Sequence, residues 1–181
     1  MAVDIDNPKV LDELQKVQAM LIGSGADIKA VERENIHITL KFLGDINASL
    51  LEETKGIVTN LRFSPFRINL SETGAFPNLR RPRIIWAGIS ERENKLSNIF
   101  RELEDGLDGL GFNRESRRFS PHITIARVRS GKNRRILIET LLQNNDLDFG
   151  NLIVDKIKLK RSVLTSKGPI YSTLAESRLE E

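Results

Sequence analysis

Only two histidines occur in the chain, and each opens the same four-residue pattern, His37-Ile38-Thr39-Leu40 and His122-Ile123-Thr124-Ile125. Imidazole titrates near neutrality, so one copy can hold a proton while the other lacks one, and a threonine hydroxyl can donate to an anionic oxygen. Side chains two apart on a strand point to one face. Each pattern therefore presents an imidazole and a hydroxyl together, with Ile36, Ile38, Leu40, Ile123 and Ile125 turned to the core. Two such strands lining one cleft would supply an acid, a base and ligands for non-bridging oxygens, which is equipment for reactions at a phosphate. A lone strand histidine is ordinarily a satisfied core group, but identical surroundings for both copies count against that reading. Two imidazoles and two hydroxyls make a poor metal set without carboxylates beside them. The absence of cysteine removes thiol catalysis, disulfides and thiolate-bound zinc, and fits a reducing compartment.

The elements that must position these residues follow from periodicity. Residues 2–5 read as a short strand, and Asn7-Pro8 starts a helix carrying Val10, Leu11, Leu14, Val17 and Leu21, closed by Gly23-Ser24-Gly25. Ile28 to Val31 is a candidate strand, and IHITLKFLG (36–44) is a clear one. Asn47 caps a second helix with Leu50, Leu51, Thr54, Ile57, Val58 and Leu61 on one stripe, followed by a strand, FRINLSETGAF (66–76). The order then repeats: RIIWAGI (83–89) as a strand, a helix with Leu96, Ile99, Phe100, Leu103 and Leu107, SPHITIARV (120–128) as a strand, and a helix around Ile136, Leu137, Thr140 and Leu141. NLIVDKIKLKRSVL (151–164) reads as one long strand, which the turn at Ser166-Lys167-Gly168-Pro169 reverses into PIYSTLAESRL (169–179).

The matching order predicts an α+β fold. It has two pseudo-symmetric lobes, each a mainly antiparallel sheet backed by helices, around a central groove, and forms a single bilobal domain over 1–181 with duplicated halves of roughly 1–80 and 81–181. The length suffices for a core without staples. The start lacks a basic, then apolar, leader and no run is long and apolar enough to span a bilayer, so a cytoplasmic chain without membrane attachment is expected.

Net charge is +3, yet the cations are grouped: Arg80, Arg81 and Arg83; Arg114, Arg117 and Arg118; Lys132, Arg134 and Arg135; Lys156, Lys158, Lys160 and Arg161. Grouping of this kind suits a polyanion, although any one cluster can equally be a solvated face.

HITLKFLG (37–44), RPRIIWAGI (81–89), FSPHITIAR (119–127) and the closing strand pair with Tyr171 together resemble the two-histidine (2H) phosphoesterases, specifically the RNA 2′,3′-cyclic phosphodiesterases also called 2′-5′ RNA ligases. The resemblance spans nearly the whole chain. It implies catalysis with no cofactor and no metal. The substrate implied is an RNA end or nucleotide bearing a 2′,3′-cyclic phosphate, tRNA fragments included, opened to a 2′-phosphate, with ligation as the reverse direction; a monomer is the simplest state. Carried over by position, His37 matches the proton donor, His122 the proton acceptor, Thr39 and Thr124 the phosphate ligands, and Arg127 the basic residue after the second motif. Strict alternation would place Arg127 on the face opposite His122, so a twist or bulge is required there. Phe42, Phe119, Arg83, Trp86 and Tyr171 are further candidate substrate contacts; a strand phenylalanine is as readily core. Few residues precede the first strand compared with the family pattern, so a contact made from a longer first strand is not expected. Related substrates, such as 2′-5′ oligonucleotides, cyclic dinucleotides or an ADP-ribose cyclic phosphate, and a pure RNA- or nucleotide-binding module are alternatives. The second has no use for a matched acid and base.

Overall fold

A computed structural model describes residues 1–166 and 168–179. In chain order the elements are β1 (Ala2–Asp4), α1 (Pro8–Gly23), β2 (Ile28–Ala30), a single 3-10 turn (Arg33–Asn35), β3 (His37–Thr39), α2 (Ala48–Asn60), β4 (Arg62–Phe63) and β5 (Phe66–Phe76). They continue with β6 (Ile84–Ser90), α3 (Lys95–Asp108), β7 (His122–Val128), α4 (Arg134–Gln143), β8 (Asp148–Val154), β9 (Lys158–Thr165), β10 (Gly168–Glu176) and β11 (Arg178–Leu179). Asn7 and Asn47 cap the first two helices, accepting from Lys9 N and Leu50 N. Asn94 makes no side-chain cap at α3; the Glu91 carboxylate takes that place, accepting from Leu96 N at 2.9 and 3.0 Å.

Nine strands form one sheet in the order β10-β9-β1-β3-β7-β6-β5-β8, with β2 added to β7, and β4 and β11 form a separate parallel pair. Every pairing within the large sheet is antiparallel. The expected two lobes are its two flanks, which meet where Ile38 of β3 pairs with Ile123 of β7. α2 packs on β9, β10 and α3, whereas α1 packs on β8, β7, β2 and α4. The lobes interleave the halves of the chain: β5 crosses to lie beside β6, and β9 crosses to lie beside β1. α1 and α3 bury the predicted stripes, Val10, Leu14, Val17 and Leu21 of the first and Leu96, Leu103 and Leu107 of the second, whereas α2 buries only Thr54 and Val58 fully, and in α4 Leu137 and Leu141 are buried but Ile136, expected on the same stripe, is exposed.

Three expected strands are corrected. The one expected over 169–179 ends at Glu176, and Arg178–Leu179 pair separately with β4. The one expected over 36–44 is regular only over His37–Thr39, after which Leu40–Gly44 run on as a loop whose Leu40 and Lys41 amides both donate to the Met1 carbonyl. The long strand over 151–164 is two, because Leu152 and Val154 point inward with one parity and Ile157 and Leu159 with the other. A single strand cannot bury both sets on one face, so the chain leaves β8 at one sheet edge and re-enters as β9 near the other. Lys167 of the expected reversal lies outside the described residues; Gly168 pairs with Thr165 across it.

Candidate active site

Ile38 and Ile123 are both fully buried, and their direct pairing fixes what lies on the opposite face. One step either side, antiparallel order sets His37 beside Thr124 and Thr39 beside His122, which makes the histidines diagonal neighbours with Cα atoms roughly 7–8 Å apart.

Each imidazole is held in the same way. His37 Nδ1 lies 2.7 Å from the carbonyl oxygen of Asn35, and His122 Nδ1 lies 2.8 Å from that of Ser120, in both cases two residues upstream. A carbonyl only accepts, so Nδ1–H is the donor and Nε2 is the ring atom left able to take up or release a proton. An aromatic edge steadies each ring: Tyr171 meets His37 at 5.3 Å and 71°, and Phe76 meets His122 at 4.9 Å and 79° between ring centroids and planes.

The surroundings differ in charge. Asp4 is the cross-strand partner of His37, whereas Gly88 holds that place opposite His122. Asp4 binds Lys160 Nζ at 2.5 Å and Lys158 Nζ at 3.0 Å, and Lys160 also lies over the Tyr171 ring at 5.4 Å. Burial pushes the Asp4 carboxyl up, but the hydrogen bonds from Lys160 and Lys158 outweigh it and hold the group below its ordinary value. Burial also pushes the His37 imidazole below its ordinary value; the Lys160 charge adds to this, while the Asn35 carbonyl and Asp4 oppose it.

A cavity of about 310 Å³ contains His37, Thr39, Thr124, Arg127, Phe42, Lys160 and Tyr171 on its walls, and a second of about 190 Å³ adjoins His122, Phe76 and Trp86. A wider depression, about 620 Å³, lies around Arg67, Arg92 and Lys95 and is lined by neither histidine.

Arg127 reaches the His37 cavity because β7 carries an extra residue. The register with β6 runs Ile85↔Ala126 and then Trp86↔Thr124, and the skipped Ile125 and its neighbour Ala126 are both fully buried. That bulge reverses the alternation, so Arg127 returns to the face of His122 and Thr124. The other candidates divide. Phe42 is 83% exposed at the cavity rim. Phe119 is brought instead onto Phe100, stacked at 4.3 Å and 5° against the core. Arg83 is exposed and lines neither cavity, its backbone tying Phe76 to Val128. Trp86 lies over Gly74, where a Cβ would stand 2.2 Å from Cζ2, and its buried Nε1 meets no acceptor among the described residues. Lys160, hidden in sequence within a run of alternating lysines, is the site residue that the pattern did not single out. Of the cationic groups, Arg114 is neutralised by Asp105 and Asp108, and Lys156 faces Glu176. Among the described residues, no three imidazole or carboxylate groups gather as a metal ligand set, and no helix is long and apolar enough to cross a membrane.

The model of the family described as LigT-like phosphoesterase matches residues 3–86 and again 88–171. The chain belongs to this family. Among relatives of this LigT-like phosphoesterase, a Methanocaldococcus jannaschii protein is 39% identical over 97% of both chains, and one from Aeropyrum pernix is 37% identical over 92% of this chain and 95% of its own. Both are named RNA 2′,3′-cyclic phosphodiesterase. A solved Thermus thermophilus protein superposes with a TM-score of 0.80 at 28% identity, covering 97% of this chain and 93% of its own. E. coli LigT in complex with 3′-AMP shares the fold, with a TM-score of 0.77 at 20% identity over 99% of this chain and 96% of its own.

Proposed function

We propose that the chain is an RNA 2′,3′-cyclic phosphodiesterase that opens a terminal ribose 2′,3′-cyclic phosphate to a 2′-phosphate by acid–base catalysis. The observation that carries the reading is the matched pair of carbonyl-anchored imidazoles on partner strands, each beside the other motif's threonine. Attacking and leaving oxygens lie on opposite sides of phosphorus, so the reaction needs a base at one and an acid at the other. His122 takes a proton from water as its oxygen bonds to phosphorus; the bond to the 3′ oxygen breaks and His37 protonates that oxygen. Thr39 and Thr124 donate to the non-bridging oxygens and Arg127 offsets their charge. The family match and the names of the relatives support this substrate class. The halves 1–80 and 81–181 are read as a duplication, supported by two family matches of similar length.

The test is turnover on a panel of 2′,3′-cyclic mononucleotides and cyclic-phosphate-ended RNA, with phosphorus NMR of the product and a parallel assay after thorough chelation. Metal-independent formation of the 2′-phosphate is expected. A predominant 3′-phosphate, or activity lost to chelator and restored by one added metal, would overturn it.

A further inference from the structure

The cavity at His37 has room for one nucleoside. Its volume is about 310 Å³, near the lower end of the roughly 300–1,000 Å³ that small-molecule sites occupy. In the proposed reaction His37 protonates the 3′ oxygen, so the terminal ribose lies on this side of phosphorus. An RNA end also carries the nucleoside upstream and the phosphate that links it. A cavity of this size holds the terminal nucleoside and not a second one, so the upstream nucleoside must lie at its mouth.

One wall of that mouth is the hairpin of β9 and β10. Lys160 and Ser162 of β9 line the cavity, as do Pro169 and Tyr171 of β10. The register is regular here, with Ser162 opposite Tyr171 and Leu164 opposite Pro169. Residues directly opposite each other in an antiparallel pair share a face, and so do residues two apart on one strand. Both relations put Leu164 on the cavity's face of the hairpin, one step beyond its wall. There its side chain stands 84% exposed.

The tip that carries this apolar shelf is tied to the catalytic side of the cavity. Asn35 Nδ2 donates to the Pro169 carbonyl at 3.3 Å, and the carbonyl of the same Asn35 holds His37. A cation lies beside the tip as well: a Cβ on Gly168 would stand 3.3 Å from Nζ of Lys29, which pairs with Glu32 and also lines the cavity. An apolar shelf next to a cation matches a nucleotide unit, whose base has an apolar face and whose link is anionic. An apolar contact between two copies of the chain would gain nothing from the cation.

From this juxtaposition we infer that the shelf of Leu164 and Pro169 is a second nucleoside subsite, which packs the base upstream of the cyclic-phosphate end while Lys29 faces the phosphate joining the two nucleosides. The subsite favours RNA ends over free cyclic mononucleotides. It does so for any upstream base, because every base has a π-face and neither shelf side chain carries a hydrogen-bonding group.

This inference rests on the phosphodiesterase reading, and a set of three substrates separates the two. Hydrolysis is compared for 2′,3′-cyclic AMP, for an adenosine dinucleotide ending in a 2′,3′-cyclic phosphate, and for the same dinucleotide lacking its upstream base. kcat/KM should be at least about tenfold higher for the dinucleotide than for cyclic AMP, with about fivefold of this lost when the upstream base is removed, the lower end of what one stacked base contributes. Leu164→Ser alters an exposed position, so it should leave folding and cyclic AMP turnover unchanged and bring the dinucleotide down to the level of its abasic form. Lys29→Met should lower both dinucleotides toward cyclic AMP and flatten their salt dependence. The sedimentation coefficient of Leu164→Ser should equal that of the parent. Equal kcat/KM for the three substrates, or a dinucleotide advantage that survives Leu164→Ser, would overturn the inference and leave the phosphodiesterase standing. A changed sedimentation coefficient would do the same, by making the shelf a contact between copies. Absence of hydrolysis with all three substrates would remove the underlying reading as well.

Discussion

Asp4 and His37 are direct partners across β1 and β3, and Lys160 is bound to the same carboxylate, so the proposed acid carries an ion pair that the proposed base lacks. Burial lowers the affinity of His37 for its proton. An acid works only while protonated, so the alkaline limb of kcat/KM should fall below the ordinary histidine value of about 6.5. Asp4→Asn removes the opposing negative charge and should move that limb to still lower pH; Lys160→Met removes a positive charge and should move it up. A pH–rate profile of cyclic nucleotide hydrolysis reads both shifts, and a limb that stays put or moves the other way in either variant would refute the coupling.

His37→Ala and His122→Ala should each reduce kcat by at least about a hundredfold, the usual scale for a proton transfer from a positioned side chain. Both rings lie on the cleft face while Ile38 and Ile123 form the sheet's buried side, so thermal midpoints should stay close to that of the parent. Near-normal turnover in either folded variant would end the acid–base assignment.

Arg127 tests the bulge. Arg127→Ala should cost about a hundredfold in kcat, since removing one preorganised donor to a developing charge typically costs that much or more. Arg129→Ala, two residues on and outside the cavity, should cost little. Equal effects at the two positions would mean that the extra residue in β7 does not serve the site.

The histidine–threonine pairs were legible because period-two alternation alone decides which side chains share a face. Arg127 was not, since its face depends on the bulge at Ile125-Ala126. The trace this leaves in the sequence is two successive apolar residues in an otherwise alternating strand, which periodicity also allows for a strand end. Lys160 was lost among neighbouring lysines because only tertiary structure brings Asp4 beneath it. The expected strand over 151–164 failed for a reason already in the sequence: Val154 and Ile157 are three apart, an odd spacing that no flat strand buries on one face. The capping carboxylate of Glu91 lies too far before α3 for the usual cap pattern to find.

The loop that leaves β3 is anchored by a buried ion pair. Lys41 Nζ meets Glu104 Oε1 of α3 at 2.5 Å, with the two side chains 8% and 6% exposed. Each partner is also bound to backbone, Lys41 donating to Asn113 O at 2.8 Å and Glu104 Oε2 accepting from Glu115 N at 2.7 Å. Removing one charge strands the other away from water, which typically costs about 3–5 kcal/mol. Glu104→Gln should therefore lower the midpoint of thermal unfolding by several degrees, at roughly 2–4 °C per kcal/mol for a chain of this size. Lys41 also lines the His37 cavity and Phe42 stands at its rim, so loosening this loop should raise KM for the cyclic nucleotide more than it lowers kcat. The double variant Lys41→Met with Glu104→Leu leaves no stranded charge and should recover much of the lost stability. A midpoint unchanged by Glu104→Gln, or a double variant less stable than the single one, would show that the pair does not hold the loop.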